Sequence, residues 1–161
     1  GHEVNWTMYE MVNVLRENCV DYVKLDGRFD AGYTGVRISA GMAEAAGIQC
    51  VHHSFFQLGI SLAGSLHVMA SCPNFSMACS WGEYGKMLDD VIVGGPLRMK
   101  EVPYLDVPTA PGIGVELDYD KLAQYNELYV KEILEKGFER QTERPYYTAM
   151  FMRPYFKDIL D

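Results

Sequence analysis

The stretch Val20–His53, VDYVKLDGRFDAGYTGVRISAGMAEAAGIQCVHH, decides the fold. A short apolar run ends at Asp26, a small-residue helical segment with Thr34 as its N-cap spans Thr34–Ala46, and a second apolar run ends at His52 and His53. A strand–helix–strand unit of this length fits a right-handed parallel crossover. Because sites in parallel α/β folds form at the carboxyl ends of strands, the sequence predicts an acid/base pair of Asp26 and a histidine.

Further elements are predicted on both sides of this unit. Thr7 and Glu10 fit a capping box for a first helix that ends near Asn18. After the second strand, another helix is halted by Pro73, and Phe75–Trp81 predicts a third strand. This alternation indicates an α/β class with parallel strands. The apolar faces of the two helices are predicted at Met8, Met11, Val12 and Leu15, and at Leu62, Leu66 and Met69.

The last half of the chain carries weaker patterns. Residues Gly82–Val107 predict turns with a short hairpin, and Pro108–Gly114 predicts a rigid loop whose glycines permit close backbone approach. Thr142–Asp161 is rich in aromatic residues, which favours a tail docked on a partner surface. One face of a final helix is predicted at Leu122, Tyr125, Tyr129 and Ile133.

Composition and charge exclude several classes of protein. The 161 residues carry a net charge of -8, which argues against a nucleic-acid partner. No apolar run approaches the ~20 residues of a membrane span, and no signal peptide is visible. The four cysteines form no CxxC pair, so we expect reduced, buried thiols in a cytoplasmic protein. They are Cys19, Cys50, Cys72 and Cys79.

Three polar residues follow one another at the spacing of a strand–helix repeat. Asp26 lies 23 residues after Glu3, and His53 lies 27 residues after Asp26. Each step is one βα unit with a polar residue at the strand's carboxyl end. Three parallel strands cannot close a barrel, and an open sheet would leave two long edges. We therefore expect this chain to be part of a larger fold.

With these motifs the chain resembles the C-terminal half of the enolase superfamily, specifically its mandelate racemase-like subgroup. The resemblance runs from Gly1 to about Leu122 and covers five motifs in register. They are Gly1–Glu3, Lys24–Asp26 with Ala31–Gly35, Val51–His53, Leu66–Ala70 with Cys72–Asn74, and Pro111–Asp118.

The resemblance implies the C-terminal portion of a modified TIM barrel, (β/α)7β. Residues 1–122 would then run from the end of the fifth barrel strand through the eighth strand and its loop. Residues 123–161 would form a C-terminal helix and a tail that packs on the missing capping domain. The remaining N-terminal part of the enzyme is an implied partner, and members of the family are commonly homo-oligomers.

The resemblance also assigns roles to residues. Glu3 matches the fifth-strand ligand of Mg²⁺, a cation that prefers oxygen ligands. Asp26 and His53 match the sixth- and seventh-strand dyad, in which the histidine moves the proton and the aspartate orients it. His53 is preferred to His52, whose side chain would point the other way along the strand. His52 is kept as a candidate for substrate binding.

The eighth strand departs from the family pattern. Many members present a glutamate to the substrate there, whereas the matching position is Cys79 or Ser80, and Glu83 follows slightly late. We keep all three as candidate substrate-binding residues. A buried thiol is the structural alternative for Cys79.

Other candidates have ordinary structural roles as alternatives. Asp26 could be a turn residue, and a lone His53 could be a structural histidine. His67 lies within an apolar helix and is predicted to be packed and hydrogen-bonded. Arg28 and Lys24 could contact an anionic substrate, be solvated, or pair with neighbouring strands.

The reaction that the resemblance implies is abstraction of a proton α to a carboxylate through an enediolate, with Mg²⁺ as cofactor. We expect a lyase that dehydrates a sugar acid, or else a racemase, epimerase or cycloisomerase of the same superfamily. A non-catalytic fragment or subunit completed by another chain is the non-enzymatic alternative. A flavodoxin-like domain fits poorly, because no phosphate-binding glycine loop follows the first strand.

Overall fold

The computed structural model describes residues 7–53, 57–77, 84, 87–99 and 104–131. They belong to two compact units, Gly1–Asp118 and Tyr119–Asp161. The named elements of the first unit are α1 Met8–Glu17, β1 Tyr22–Leu25, α2 Gly32–Ala45, β2 Gln49–His52 and α3 Gly59–Ser71. The second unit contains α4, Tyr119–Tyr129, which confirms the final predicted helix as far as the description extends. The aromatic tail lies outside the described residues.

The strand–helix–strand prediction is confirmed. β1 and β2 pair in parallel, with Tyr22 opposite Gln49 and Leu25 opposite His52. The connection between them is α2, as a parallel crossover requires. Both strands therefore end at the same edge of the sheet.

The predicted third strand is not seen in the part that the structure describes. Residues 75–77 have no strand conformation, and residues 78–81 lie outside the description. A main-chain bond joins β2 to the residue just before this segment, from the Cys50 N–H to the Asn74 carbonyl oxygen at 2.8 Å. The Asn74 side chain also donates to the carbonyl oxygens of Ala40, at 3.0 Å, and Ile48, at 3.3 Å. This buried amide ties the chain after α3 to α2 and to the start of β2.

The capping box at the start of α1 is confirmed. The Thr7 N–H donates to Glu10 Oε2 at 2.9 Å, and the Glu10 N–H donates to Thr7 Oγ1 at 3.3 Å. The helix ends at Glu17, and its C-cap is Asn18, which has φ 45°. The predicted apolar face is confirmed at Met11, which is buried, and at Leu15, which packs partly buried against the core, but it missed Val14, which is also buried.

Helix α2 begins earlier than predicted. Ala31, at φ 57°, is its N-cap and makes no side-chain capping bond, so the prediction of Thr34 as the cap is wrong. The reason lies in the preceding turn, which folds so tightly that the Asp30 carbonyl occupies the space where Gly35 would carry a Cβ. The helix ends as predicted before Gly47, at φ 74°.

The core of the first unit lies between the sheet and its helices. It is built from small and branched side chains, so the helices approach the strands closely. Its buried members are Met11, Val14, Val23, Leu25, Val36, Ala40, Ala43, Ile48, Cys50 and Val68. The prediction that the cysteines are buried is wrong for Cys19, which is exposed, and only partly right for Cys72.

Helix α3 ends at Ser71, just before Pro73, as predicted. Its first N–H, at Gly59, donates at 2.7 Å to Oδ2 of the buried Asp90. Tyr84 donates its hydroxyl to the same oxygen at 2.9 Å and packs against Leu62 and Leu66. The carboxylate of Asp90 therefore caps α3 from a distant part of the chain.

The hairpin predicted within Gly82–Val107 is not found among the described residues. Residues 91–93 instead pair antiparallel with residues 116–118, through the bridge between Ile92 and Leu117. In the loop between them, Gly114 approaches Pro108 so closely that a Cβ would clash, which confirms the predicted close backbone approach. No helix in the described ranges is long and apolar enough to cross a membrane.

Candidate active site

Asp26 and His53 are brought together at the tips of the two strands. Each residue follows the last residue of its strand, and the His53 N–H donates to the Leu25 carbonyl oxygen at 2.9 Å, which extends the parallel pairing by one step. The side chains meet with His53 Nδ1 2.9 Å from Asp26 Oδ2. Asp26 is 2% exposed and the His53 side chain is 16% exposed, so the carboxylate lies beneath the imidazole.

Arg28 binds the same carboxylate. Its backbone N–H donates to Asp26 Oδ1 at 2.9 Å, and its guanidinium donates from Nε to Oδ1 at 3.0 Å and from Nη2 to Oδ2 at 2.6 Å. The guanidinium also lies over the ring of Phe29, at 5.6 Å from the centroid. Sequence reasoning missed this role of Arg28. The Asp-Gly-Arg turn directly after a strand was the available signal, because it allows an aspartate to bind the backbone two residues on.

These contacts fix the protonation of the pair. Burial alone would raise the pKa of Asp26, but its hydrogen bonds with His53 and Arg28 outweigh burial and hold that pKa well below its usual range. Asp26 is therefore an ionised acceptor at neutral pH. Nδ1 of His53 must then be the donor, which leaves Nε2 as the ring nitrogen that can accept a proton.

His52 lies on the opposite face of β2. It is 4% exposed, and neither ring nitrogen has a hydrogen-bond partner among the described residues. Burial lowers its pKa to about 4, so the ring is neutral at pH 7. It lines a cavity of about 10 Å³ together with Tyr33, Ser65 and Val68. This position on the helix side of the sheet gives no support to its prediction as a substrate-binding residue.

Four other predicted site residues lie outside the described residues. The metal ligand Glu3 and the substrate-binding candidates Cys79, Ser80 and Glu83 therefore stay predictions. His67, by contrast, has the structural role predicted for it: its Nε2 lies 3.1 Å from the carbonyl oxygen of Ile113, to which it donates.

The described residues do not form a complete magnesium site. Within the described ranges, no group of three histidine, cysteine, aspartate or glutamate side chains could hold a metal ion. Both oxygens of Asp26 are already bound by Arg28, and one also by His53. An ionised carboxylate beside an imidazole is an arrangement that suits acid/base chemistry.

Comparison with known proteins gives the family. The model of the Enolase C-terminal domain-like family matches residues 1–121. The chain belongs to this family. The resemblance to the enolase superfamily is thereby confirmed, and so is the assignment of the fold to a portion of a TIM barrel.

Members of this enolase-like family that resemble the chain catalyse more than one kind of reaction. A chloromuconate cycloisomerase of Pseudomonas putida is 31% identical over 113 residues, which are 70% of this chain and 30% of that protein. A "probable glucarate dehydratase" of Streptomyces coelicolor is 29% identical over 123 residues, 73% of this chain and 26% of that protein. The chain thus spans less than a third of the length of these curated relatives.

One of the similar solved structures contains bound magnesium. An enolase from Pseudomonas fluorescens Pf0-1, crystallised with bound magnesium, potassium and tartrate, superimposes with a TM-score of 0.65 at 29% identity. The match covers 79% of this chain and 30% of that one. Mg²⁺ is the cofactor expected for this chain.

Proposed function

We propose that this chain supplies the acid/base residues of a Mg²⁺-dependent lyase that dehydrates a sugar acid. The observation that carries the proposal is the contact of His53 Nδ1 with the buried carboxylate of Asp26, at 2.9 Å. A carboxylate that accepts from one ring nitrogen fixes the tautomer and stabilises the imidazolium that forms when the other nitrogen takes a proton.

The reaction begins when a base removes the proton on the carbon next to the substrate carboxylate. The bond to the β-hydroxyl then breaks, and water leaves with a proton from an acid. The resulting enol becomes a 2-keto-3-deoxy acid. His53 can act at either step, as the base at the α-carbon or as the acid that protonates the hydroxyl. Asp26 holds its proton-bearing Nδ1 in both cases.

Two similarities support a sugar acid as substrate. One relative is named as a probable glucarate dehydratase, and one similar structure holds tartrate, a hydroxy acid. Glucarate and tartrate each carry a hydrogen and a hydroxyl on the carbon next to a carboxylate and a second hydroxyl on the following carbon, which is the arrangement that dehydration to a 2-keto acid needs. We also propose that the remaining N-terminal part of the enzyme is a partner of this chain. The same proposal includes a homo-oligomeric enzyme and a cytoplasmic location.

A cycloisomerase is the second candidate function, and the similarity to chloromuconate cycloisomerase favours it. A cycloisomerase conserves the atoms of its substrate, whereas a dehydratase loses one water. Mass spectrometry of the product separates the two, because only dehydration lowers the mass by that of a water molecule.

The test is turnover of a panel of sugar acids in the presence of Mg²⁺, with detection of 2-keto acids. The protein should be purified together with any polypeptide that completes the barrel, and also alone. We expect His53→Ala to lower kcat by about 10²–10⁴-fold, the usual contribution of a general acid or base. Asp21→Asn, at the opposite, exposed end of β1, is the control and should keep full activity. A His53→Ala variant that turns over substrate normally would contradict the proposal.

Turnover of muconates but not of sugar acids would show that the reaction is cycloisomerisation and not dehydration. No turnover in any form of the preparation would support a non-catalytic chain. A chain that is active only with a second polypeptide would be a subunit that needs that polypeptide to complete the barrel.

A further inference from the structure

The turn after β1 is closed by a second buried carboxyl group. Asp30 Oδ2 accepts from the Asp26 N–H at 2.5 Å, and the Asp30 N–H donates to the Asp26 carbonyl oxygen at 2.9 Å. Asp30 is as buried as Asp26, at 2% exposed. Both main-chain hydrogen-bonding groups of Asp26 are therefore held by one residue, four positions further along the chain.

This reciprocal pair of bonds controls where the Asp26 side chain points. The N–H and carbonyl groups flank the Cα of Asp26, so fixing both restricts its φ and ψ and thereby the direction of its Cα–Cβ bond. Gly35 makes the arrangement possible, since any side chain there would collide with the Asp30 carbonyl. The turn is thus shaped around the contact between these two aspartates.

We propose that Asp30 is a positioning residue of the dyad, which acts by holding the backbone of Asp26 so that its carboxylate meets His53. This inference rests on the proposed acid/base function. Asp30 acts through Asp26, with no direct hydrogen bond to His53 among those recorded for the described residues.

The chemistry of Asp30 supports a role beyond closing the turn. Its pKa is raised to about 6, chiefly by burial and also by the nearby charges of Asp26 and Glu10, while the hydrogen bond from the Asp26 N–H and the charge of His53 act to lower it. One of its oxygens, Oδ1, has no hydrogen-bond partner among the described residues. A buried carboxyl with these neighbours lowers stability, and side chains that lower stability are found where function requires them.

The test compares Asp30→Ala with Asp30→Asn in the complete enzyme. The alanine variant loses the acceptor for the Asp26 N–H, whereas the asparagine oxygen can still accept it. We expect Asp30→Ala to lower kcat by about 100-fold, as a small misplacement of a catalytic group does, with KM changed by less than about threefold. Asp30→Asn should recover most of kcat, and Asp21→Asn should match the wild type.

The variants distinguish a failure of the positioning role of Asp30 from a failure of the proposed function. If His53→Ala is inactive while Asp30→Ala keeps the wild-type kcat, the positioning role is wrong and the proposed function stands. Equal losses of kcat in Asp30→Asn and Asp30→Ala would also overturn the role of the hydrogen bond. If Asp30→Ala does not fold, Asp30→Ser replaces it, because the serine hydroxyl is one bond too short to reach the Asp26 N–H in the same way.

An NMR measurement tests the positioning role of Asp30 even if no sugar acid is turned over. The proton on His53 Nδ1, bound to a carboxylate, gives a low-field NMR resonance. We expect this resonance in the wild type and in Asp30→Asn, and its loss or upfield shift in Asp30→Ala or Asp30→Ser. An unchanged resonance in the folded alanine or serine variant would overturn the proposal even if the function of the enzyme were different.

Discussion

Nη2 of Arg28 lies 2.6 Å from Oδ2 of Asp26, the same carboxylate oxygen that His53 Nδ1 contacts. One buried carboxylate therefore contacts both a guanidinium and an imidazole. Because the guanidinium stays protonated at all working pH values, Asp26 remains ionised whether His53 is neutral or charged. The pair can thus exchange a proton at His53 while the carboxylate itself keeps its charge.

Removing the guanidinium should destabilise the protein in a pH-dependent way. We expect Arg28→Met to lower the free energy of unfolding by about 1–2 kcal/mol at pH 7, discounted because the Arg28 side chain is 33% exposed. Arg28→Lys should fall in between, since it keeps the charge and loses the two-point contact. Urea unfolding monitored by circular dichroism measures the free energy of unfolding of both variants.

The sign of the pH dependence follows from Asp26. Its pKa is depressed in the folded state, so its stabilising contribution is present above the unfolded value of 3.8 and is lost as pH falls below it. The stability gap between the wild type and Arg28→Met should therefore narrow below about pH 4. A gap that widens on acidification would contradict the ion pair.

Asp30 and His52 should give opposite pH dependences of stability in one window. The pKa of Asp30 is raised from 3.8 to about 6, so between these values the folded chain holds a proton that the unfolded chain has released, and stability falls as pH rises. The pKa of His52 is lowered from 6.5 to about 4, so there the unfolded chain holds the extra proton and stability rises with pH. Each effect amounts to about 3 kcal/mol, and the two nearly cancel.

Single substitutions at Asp30 and at His52 distinguish the contributions of these two side chains to the pH dependence of stability. In Asp30→Asn, the free energy of unfolding should rise as pH increases from about 4 to 6.5, because only the effect of His52 remains. In His52→Gln, it should fall as pH increases from about 4 to 6, because only the effect of Asp30 remains. Urea unfolding at half-unit pH intervals measures the slopes, with the wild type as the nearly flat reference. Slopes of the same sign in both variants would show that one of the two burial effects is absent.

Packing of Tyr33 against α3 should make Gly64 sensitive to substitution. A Cβ at Gly64 would lie 2.5 Å from the Tyr33 ring, whose hydroxyl donates to the Ser61 carbonyl oxygen at 2.7 Å. We expect Gly64→Ala to lower the free energy of unfolding by about 1–3 kcal/mol through overpacking.

Gly41 in α2 is the matched control for this substitution. It is exposed, and apart from its chain neighbours and the helix's own backbone, no atom of the described residues lies within 4 Å of the position of a Cβ there. Gly41→Ala should therefore raise the free energy of unfolding by about 0.5–1 kcal/mol, because alanine is the better helix former. Thermal unfolding of both variants measures this, and a stabilising Gly64→Ala would contradict the packing.

The sequence predicted the features that depend on local pattern or on strand spacing. The capping box of Thr7 and Glu10 is a local exchange of bonds, so it was readable directly. The juxtaposition of Asp26 and His53 followed from one crossover, because parallel strands place their carboxyl ends at one edge. The roles of these two residues in catalysis stay predictions.

Features that depend on tertiary contact escaped prediction. Thr34 was a plausible cap by residue type, but the start of α2 is set by the turn in which Gly35 lies against Asp30. Arg28 and Asp30 lie close to Asp26 in the chain, but they were missed as its partners because their contacts depend on the path of the turn, and only the Asp-Gly-Arg order pointed to the Arg28 contact.

The most direct test of the acid/base assignment is exchange of the substrate's α-proton with solvent deuterium. The complete enzyme is incubated in D₂O with Mg²⁺ and the sugar acid that it turns over, and NMR follows deuterium at the α-carbon of recovered substrate and product. The acid/base assignment predicts that His53→Asn and Asp26→Asn slow the proton transfer assigned to His53, by about 10²–10⁴-fold for His53→Asn, while Asp21→Asn leaves it unchanged. Deuterium exchange and dehydration at wild-type rates in a folded His53→Asn variant would contradict it.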